Sequence, residues 1–394
     1  MKKYIVCFFT VFFICFNSVF SVFGEEAKTE SEKTANLAVN AKSAVIMEPM
    51  TGKILFEQNQ DEMLAPASVT KIMTLLLIYD AVSQKKISWE DSVTISEHAA
   101  SMGGSQIFLE PNEKQKVSEL TKSIAIASAN DAAVAMAEFI GGSEENFVQM
   151  MNAKAKELGM NNTVFKNACG LDTEGHLMSA KDIAIMSREL IKNYPDIKKY
   201  TTTWQDTIVH STKKGDTEFG LTNTNKLIKW YEGATGLKTG STGNAMYCLS
   251  GTAERNGMEL IAVVMGAPDP KTRFQEVMKM LDYGFANYTV IKGGEKNMKA
   301  GEVLVFKGKE NFVNAVIKDE IKVVVPKGAD SKIDVKSELS QGIAAPFDEG
   351  VKVGEAVFFY DGKEVGRSDI VTEKSIERAG LVDIFGKLAV LWFS

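Results

Sequence analysis

The sequence predicts an α/β layered domain of the α+β type, in which helices pack on an antiparallel sheet, followed by a small all-β sandwich. Within residues 41–288, strand-like runs stand at both ends and helical patterns lie between them, which favours a sheet whose first and last strands meet. The late strands follow one another through short turns, and such turns favour antiparallel pairing. Residues 289–373 contain only short alternating runs separated by Gly, Asp and Lys-rich turns, as in all-β domains.

Composition excludes several classes of protein. The 394 residues are 45% hydrophobic and 24% charged, close to the globular averages of roughly 45–50% and 25%. A disordered chain, a collagen-like repeat and a polytopic membrane protein are therefore excluded. The formal net charge of −6 gives no indication of a nucleic-acid partner, which would favour a basic face.

The first 24 residues have the pattern of a secretory signal peptide. Lys2 and Lys3 precede the uncharged run Tyr4–Phe23, and a small residue, Gly24, follows it. An uncleaved anchor is the alternative, because about 20 apolar residues can span a bilayer. In both cases we expect residue 25 onward to be exported, to the outer face of the cytoplasmic membrane or the cell wall.

Residues 25–40 are polar without a period and predict a mobile lead-in. Beyond the signal peptide only Cys169 and Cys248 remain. One possible pair in so long a chain is not a disulfide framework, so the hydrophobic core must hold the fold. Both cysteines are predicted to be small buried residues.

The elements of the first domain follow from periodicity. Two strands are predicted within 43–59 around a turn, and an apolar helix begins at Pro66 and runs through Val82. The remaining predicted helices cover 117–127, 131–140, 180–192 and about 271–286, and the remaining strands cover 236–241, 246–254 and 258–268.

The first chemical motif is Ser68-Val69-Thr70-Lys71, at the start of the first apolar helix. Residues three apart lie on the same helix face, so the Lys71 amine can reach the Ser68 hydroxyl. Serine needs a base to act as a nucleophile, and lysine is a base only when burial and a cationic neighbour lower its pKa by about three units. Taken alone, the motif is more simply interpreted as a helix cap followed by a solvated lysine.

Two further motifs are individually weak. Ser128-Ala129-Asn130 falls between two helices, where serine is usually a cap and asparagine a turn former. Lys238-Thr239-Gly240-Ser241 lies in a predicted strand, where Gly240 permits close approach of a ligand to the backbone. A lysine here would supply positive charge to bind a carboxylate.

Together, S-x-x-K, S-x-N and K-T-G in this order and structural context are specific, and they are typical of penicillin-binding proteins and class A β-lactamases. The chain resembles the low-molecular-weight penicillin-binding proteins, specifically the D-alanyl-D-alanine carboxypeptidases of the β-lactamase/transpeptidase-like superfamily. The resemblance runs from about residue 40 to the C-terminus. Supporting stretches are PASVTKIMT (66–74), IASANDAAVAMAE (126–138), GLD (170–172), LTNTNKL (221–227) and GATGLKTGST (233–242).

The resemblance implies a role for each motif residue. Ser68 would attack the penultimate D-alanine carbonyl, Lys71 would take its proton, and Ser128 would pass a proton to the leaving amine. Asn130 would donate to a substrate carbonyl, while Lys238, Thr239 and Ser241 would hold the terminal carboxylate. The implied partners are peptidoglycan stem peptides and, as covalent inhibitors, β-lactams. No cofactor or metal is expected, since the motifs furnish nucleophile, base and oxyanion donors.

Two positions depart from the relative on which the resemblance rests. That relative has His at the positions of Ser241 and Cys169, which leaves the pH dependence and deacylation rate open. Arg273 is expected to be a surface residue that caps a helix, with a carboxylate contact as the alternative. The three histidines, His98, His176 and His210, have no metal-ligand spacing.

Two other functions remain open from the sequence. A β-lactamase would need an efficient water-activating residue, for which Glu174 is a weak candidate. A non-catalytic wall-binding scaffold with a decayed site is disfavoured, because all three motifs are intact.

The tail, 374–394, is predicted to associate with a membrane. On a helical wheel from Leu381 to Ser394 the three polar residues cluster in a narrow sector, and apolar residues occupy the rest. Fourteen helical residues span about 21 Å, which is short of a hydrocarbon core of about 30 Å. We therefore expect the helix to lie in the interface; packing on the β domain is the alternative.

Overall fold

The computed structural model describes residues 37–212, 215–329 and 332–386. The predicted signal peptide 1–24, and the predicted lead-in 25–40 up to residue 36, lie outside these residues. At the end of that lead-in, Val39 is buried, and the Gln58 side chain donates hydrogen bonds to the carbonyl oxygens of Val39 and Ala41. The prediction of mobility through residue 40 is therefore wrong at its end, because Val39 is already part of the packed chain.

The first part of the chain, through Asn287, contains strands and helices. In chain order they are β1 (Ser43–Met47), β2 (Ile54–Gln58), α1 (Lys71–Ser83), β3 (Ser92–Thr94), α2 (Glu97–Ala100), β4 (Lys114–Lys116), α3 (Val117–Ile126), α4 (Asn130–Gly141), α5 (Glu144–Glu157), α6 (Ala180–Asn193), α7 (Lys198–Thr201), β5 (Gln205–Thr212), β6 (Gly215–Thr222), α8 (Leu227–Trp230), β7 (Ala234–Thr242), β8 (Met246–Arg255), β9 (Met258–Ala267) and α9 (Pro270–Asn287).

An antiparallel five-stranded sheet organises this part, in the order β2-β1-β9-β8-β7. Strand β1 pairs with β9, with Ser43 opposite Met265, so the first and last strands meet as predicted. Neighbouring residues of β8 point to opposite faces of the sheet. On one face Ser250 bonds the hydroxyl of Ser187 in α6, and on the other Gly251 lies under Val277 of α9. Helices therefore cover both faces of the sheet.

Helix α1 is the centre of the hydrophobic core. Ten of its 13 residues are buried, including Lys71 at its first position. A helix that is apolar on all sides belongs inside a domain. The predicted helix from Pro66 differs only in its first turn, which is a 3-10 helix over Ala67–Thr70.

The hairpin β5–β6 was not anticipated by the periodicity of the sequence. Most of its side chains are exposed, and only Ile208, His210 and Leu221 are buried. In β5 the buried face carries Ile208 and the polar His210, and the exposed face carries the apolar Val209. Apolar and polar residues therefore do not follow the alternation by which strands are detected.

The second part of the chain is all-β, as predicted. Its strands are β10 (Tyr288–Gly294), β11 (Lys299–Phe306), β12 (Phe312–Ile317), β13 (Ile321–Pro326), β14 (Asp334–Leu339), β15 (Gly342–Ala344), β16 (Lys352–Tyr360) and β17 (Lys363–Thr372). A six-stranded sheet, β14-β16-β17-β12-β11-β15, lies against the pair β10-β13. Phe358 of β16, which is fully buried, packs against Gly294 of β10 and forms part of this core.

A short helix covers 381–386 at the end of the described chain. It is the described part of the predicted amphipathic tail; residues 387–394 lie outside the described residues. The side chains of Leu381, Val382 and Phe385 are 75%, 85% and 70% exposed. Within the described ranges, no helix combines the length and the apolar character that a membrane crossing needs.

Gly170 allows the segment before α6 to touch the 3-10 turn that precedes α1. It has φ +86°, and an added Cβ would lie 1.9 Å from the carbonyl oxygen of Ala67. We predict that Gly170→Ala lowers the free energy of unfolding by about 3 kcal/mol or more, from left-handed backbone strain and the clash with Ala67. Denaturant unfolding measures this change.

Gly159→Ala is the matched control. Gly159 has a similar φ of +73°, but an added Cβ meets nothing within 4 Å. Only the backbone cost of about 1 kcal/mol applies there. Equal destabilisation by the two substitutions would contradict the close contact between Gly170 and Ala67.

Candidate active site

Ser68 and Lys71 lie together at the start of α1. Ser68 is in the 3-10 turn and Lys71 begins the α-helix, so one helical turn separates them. The Lys71 Nζ is 3.0 Å from the Ser68 Oγ. Lys71 is fully buried, whereas Ser68 is only partly so. The Ser68 hydroxyl is thus partly open to a ligand while its neighbouring amine is shielded from water.

Two distant segments complete the surroundings of the Lys71 amine. Its Nζ donates to the Asn130 Oδ1 at 2.6 Å and to the carbonyl oxygen of Cys169 at 2.7 Å. Asn130 begins α4, and Cys169 precedes the tight Gly170 contact. The S-x-x-K and S-x-N motifs therefore meet at one atom, as their combination predicts.

Burial makes the Lys71 amine unusually ready to lose its proton. Desolvation lowers its pKa from 10.5 to about 8, although the nearby Asp131 carboxylate acts in the opposite direction. A shift of this size corresponds to about 3 kcal/mol between the two protonation states. The sequence analysis expected burial to lower the pKa of Lys71, and the shift has this direction.

Lys238 joins the third motif to the second. It lies in β7, is buried, and its Nζ donates to the Ser128 Oγ at 2.8 Å. Burial, followed by repulsion from Lys71 and Arg273, lowers its pKa well below 10.5.

Asn130 makes hydrogen bonds within the protein in addition to the substrate contact predicted for it. Its Nδ2 donates to the Gly103 carbonyl oxygen at 2.6 Å, and its backbone N–H donates to the Ser105 carbonyl oxygen at 2.7 Å. One amide hydrogen is therefore used inside the protein, which leaves the second for a ligand. The same side chain also positions Lys71, a role that the motif alone does not reveal.

Asp131 is a buried residue that the sequence reasoning missed. Its carboxylate accepts backbone hydrogen bonds from Ile107 and Leu109, which fixes the 103–109 segment next to Asn130. Burial raises its pKa, and the backbone N–H donors oppose that shift. An acidic residue in the first turn of a helix is too common to identify it in advance.

The K-T-G strand lies directly against the 3-10 turn. An added Cβ on Gly240 would lie 2.7 Å from the Pro66 carbonyl oxygen and 3.0 Å from the Ser68 backbone nitrogen. Glycine therefore allows the 3-10 turn to approach the strand, a contact that the sequence analysis, which expected a ligand there, did not anticipate. Thr239 is buried beside this contact and Ser241 is exposed after it.

Thr224 supports Thr239 from the loop after β6. The two hydroxyl oxygens are 2.7 Å apart. Thr224 belongs to the stretch LTNTNKL, which supported the family resemblance without indicating what this residue does.

Arg273 is not the surface residue that was expected. It is buried in α9, and its Nη1 donates to the Gly240 carbonyl oxygen at 2.9 Å. Helix periodicity cannot show that the strand carrying Gly240 passes in front of this position. Arg273 thus supports the K-T-G strand from behind and adds a third buried basic group to Lys71 and Lys238.

The segment around Gly170 contains one of the two departures, Cys169, and the nearby His176. Cys169 contacts Lys71 through its backbone carbonyl, and its thiol is buried with a pKa raised by burial. The His176 Nδ1 accepts from the Lys166 N–H, so its Nε2–H donates to the Thr70 Oγ1 at 2.9 Å. Burial lowers the pKa of His176 to about 4, so the ring is neutral at physiological pH.

Glu174, the candidate water-activating residue, is exposed on that same segment. It lines a surface cavity with Asp172, Asn244 and Ala67. Among the hydrogen bonds of the described residues, none joins its carboxylate to Ser68 or Lys71. Cys248, the second cysteine, is buried as expected and is a free thiol.

Known proteins resemble both parts of the chain. Residues 27–269 match the family described as D-alanyl-D-alanine carboxypeptidase, Peptidase_S11, and residues 285–378 match the C-terminal domain of penicillin-binding protein 5. The D-alanyl-D-alanine carboxypeptidase DacF of Bacillus subtilis is 48% identical over 368 residues, which is 93% of each chain. DacC of Escherichia coli, of the same description, is 32% identical over 89% of this chain and 87% of that protein.

Solved structures agree with these sequence matches. Penicillin-binding protein 5 of Haemophilus influenzae is 33% identical, with a TM-score of 0.67 over 86% of this chain and 98% of that one. A peptidoglycan synthesis regulatory factor, PBP3, of Streptococcus pneumoniae is 30% identical, with a TM-score of 0.73 over 86% and 100%. The matches cover the three motifs and both parts of the fold, so this chain belongs to the D-alanyl-D-alanine carboxypeptidase family of hydrolases, peptidase family S11.

Proposed function

We propose that this protein removes the terminal D-alanine of peptidoglycan stem peptides through an acyl-enzyme on Ser68. The observation that carries the proposal is the 3.0 Å contact between a partly open Ser68 hydroxyl and the buried Lys71 amine. Neutral Lys71 takes the Ser68 proton as the oxygen attacks the penultimate D-alanine carbonyl. D-alanine leaves with a proton passed through Ser128, and water then hydrolyses the Ser68 ester.

A carboxylate is the chemical group that best fits beside this nucleophile. Lys238 is a buried basic group with buried Arg273 as a basic neighbour, and the acidic neighbour Asp131 acts on Lys71. Buried charge requires a partner of opposite sign. We assign Lys238, Thr239 and Ser241 to the terminal carboxylate of the substrate, which a β-lactam would imitate.

The developing oxyanion needs backbone donors, and we assign the N–H groups of Ser68 and Ser241 to it. The close approach of Gly240 to the Ser68 nitrogen supports this assignment. One such donor is typically worth about 2.7–4 kcal/mol in the transition state. Asn130 would hold the substrate amide with its second N–H.

A β-lactamase and a non-catalytic scaffold are less well supported. Glu174 is exposed, whereas a residue that activates water for fast deacylation must reach the acyl-enzyme. The scaffold hypothesis does not explain why a lysine is kept desolvated beside a serine, since burial of such a group is costly.

We also propose export and association with the outer face of the cytoplasmic membrane. The charged, apolar and small-residue pattern of 1–24 supports export. The exposed side chains of Leu381, Val382 and Phe385 support a tail that lies in the interface.

Incubation with penicillin tests the acyl-enzyme directly. We predict a long-lived adduct, located by mass spectrometry on Ser68, and its absence in Ser68→Ala. In Ser68→Ala the release of D-alanine from a stem peptide should also fall to background. Ser101→Ala, an exposed serine in the same domain, leaves both unchanged.

Rapid turnover of penicillin without a persistent adduct would instead support the β-lactamase. Full peptidase activity in Ser68→Ala would overturn the catalytic assignment.

The rate of acylation should depend on pH through Lys71. Below its pKa of about 8 the amine is mostly protonated, so the rate should rise about tenfold per pH unit and level off above about 8. Stopped-flow kinetics with a chromogenic β-lactam measure this profile.

A rate that is flat from pH 6 to 9, an experimental range of about three units around the Lys71 pKa, would contradict general-base action by this amine.

Deletion of 381–394 tests the tail. We predict that the truncated protein leaves the membrane fraction, because its interfacial apolar surface is lost, while it still forms the penicillin adduct. Sedimentation with membranes equal to that of the full chain would contradict the assignment.

A further inference from the structure

A second exposed apolar surface lies at the tip of the β11–β12 hairpin. Phe306 and Phe312 are 50% and 54% exposed, and Leu304 beside them is 37% exposed. Leu304 is directly opposite Phe312 in the register, and Leu304 and Phe306 are two residues apart on one strand. All three therefore point to the same outer face of the sheet; we call them the hairpin patch.

The interior of the β domain does not account for the hairpin patch. The alternating residues Val303, Val305 and Val313 are buried and form part of the domain core. Large apolar side chains on the opposite face are thus exposed although the core is already filled. Clustered exposed apolar residues of this kind mark interaction surfaces.

The hairpin tip is joined to the start of the tail. The Ala379 N–H donates to the Lys307 carbonyl oxygen at 2.9 Å, and the Lys309 N–H donates to the Glu377 carbonyl oxygen at 3.0 Å. The tail helix begins at Leu381, two residues after this pairing. The hairpin patch and the exposed apolar residues of the tail are therefore held at the same end of the domain.

The residues around this end suit a lipid headgroup region. Lys307 and Arg378 are exposed at the tip, while Lys309 and Lys374 form ion pairs with Glu377 and Glu310. Beyond the helix the sequence continues as Lys387 followed by LAVLWF. Aromatic and basic residues around an apolar surface are typical of segments at the membrane interface.

We propose that the hairpin patch is a second membrane contact, which enters the lipid interface beside the tail. This proposal rests on the membrane association proposed above and adds a part of the folded domain to it. Two contacts held by one β domain would fix its orientation on the membrane better than a contact through the tail alone.

The test is sedimentation of the full chain with vesicles of phosphatidylglycerol and phosphatidylethanolamine. We expect Phe306→Ser combined with Phe312→Ser to bind vesicles roughly tenfold more weakly than the unmodified chain, because two aromatic rings no longer leave water. Phe139→Ser, a partly exposed phenylalanine of the first domain, is the matched control and should bind normally. The penicillin adduct on Ser68 should form at the same rate in all three proteins, which separates this test from the proposed reaction.

Hydrogen–deuterium exchange on the unmodified chain gives a second measurement. Amides of residues 306–312 should exchange more slowly when vesicles are present. Unchanged exchange there, or vesicle binding by the double variant equal to that of the unmodified chain, would overturn the proposal and leave the tail as the membrane contact. Conversion of a dimer to a monomer by the double variant, with unchanged vesicle binding, would also overturn it, because the patch would then contact a second copy.

Discussion

The buried amine of Lys71 is the group on which the rest of the active site depends. It is removed from water, and three hydrogen-bond acceptors compensate for the lost hydration. They are the Ser68 Oγ, the Asn130 Oδ1 and the Cys169 carbonyl oxygen. Those acceptors lie up to 98 residues away in the sequence. Each of the segments must be in place before burial of the amine is tolerable, so the fold and the basicity of Lys71 are established together.

Close backbone contacts bring these segments within reach. Gly170 lies against the Ala67 carbonyl group, and Gly240 lies against the backbone on both sides of Ser68. The 3-10 turn that carries Ser68 is therefore held between the Cys169 segment and the K-T-G strand. A side chain at either glycine would push the strand or the segment away from the turn that carries Ser68.

Support for the site extends well beyond the three motifs. Asp131 fixes the 103–109 segment next to Asn130, Thr224 bonds Thr239, and Arg273 holds the strand at Gly240. Cys169, which replaces a histidine of the relative, contacts Lys71 through its backbone carbonyl oxygen. The position of the amine therefore does not depend on the side chain at residue 169. Ser241 differs in this respect, since its side chain is exposed and free to face a ligand.

The sequence by itself determined most of the local elements and selected the residues of the candidate site. The apolar run after Pro66, the late strands and the three motifs predicted α1, the sheet edge and the residues that meet. Periodicity reports whether a side chain faces a core, so it detects elements that pack along one face and misses the exposed β5–β6 hairpin.

Only the tertiary structure decided which distant atoms touch. The bond from Asn130 to Lys71, the burial of Arg273 behind Gly240 and the pairing of the tail with the β11–β12 hairpin join residues far apart in the chain. Such contacts depend on how whole helices and strands pack together. A single sequence does not indicate the distance between residues on different elements. Residues 68, 71, 128 and 238 could be selected by type and order, but the distance between an amine and a hydroxyl exists only after folding.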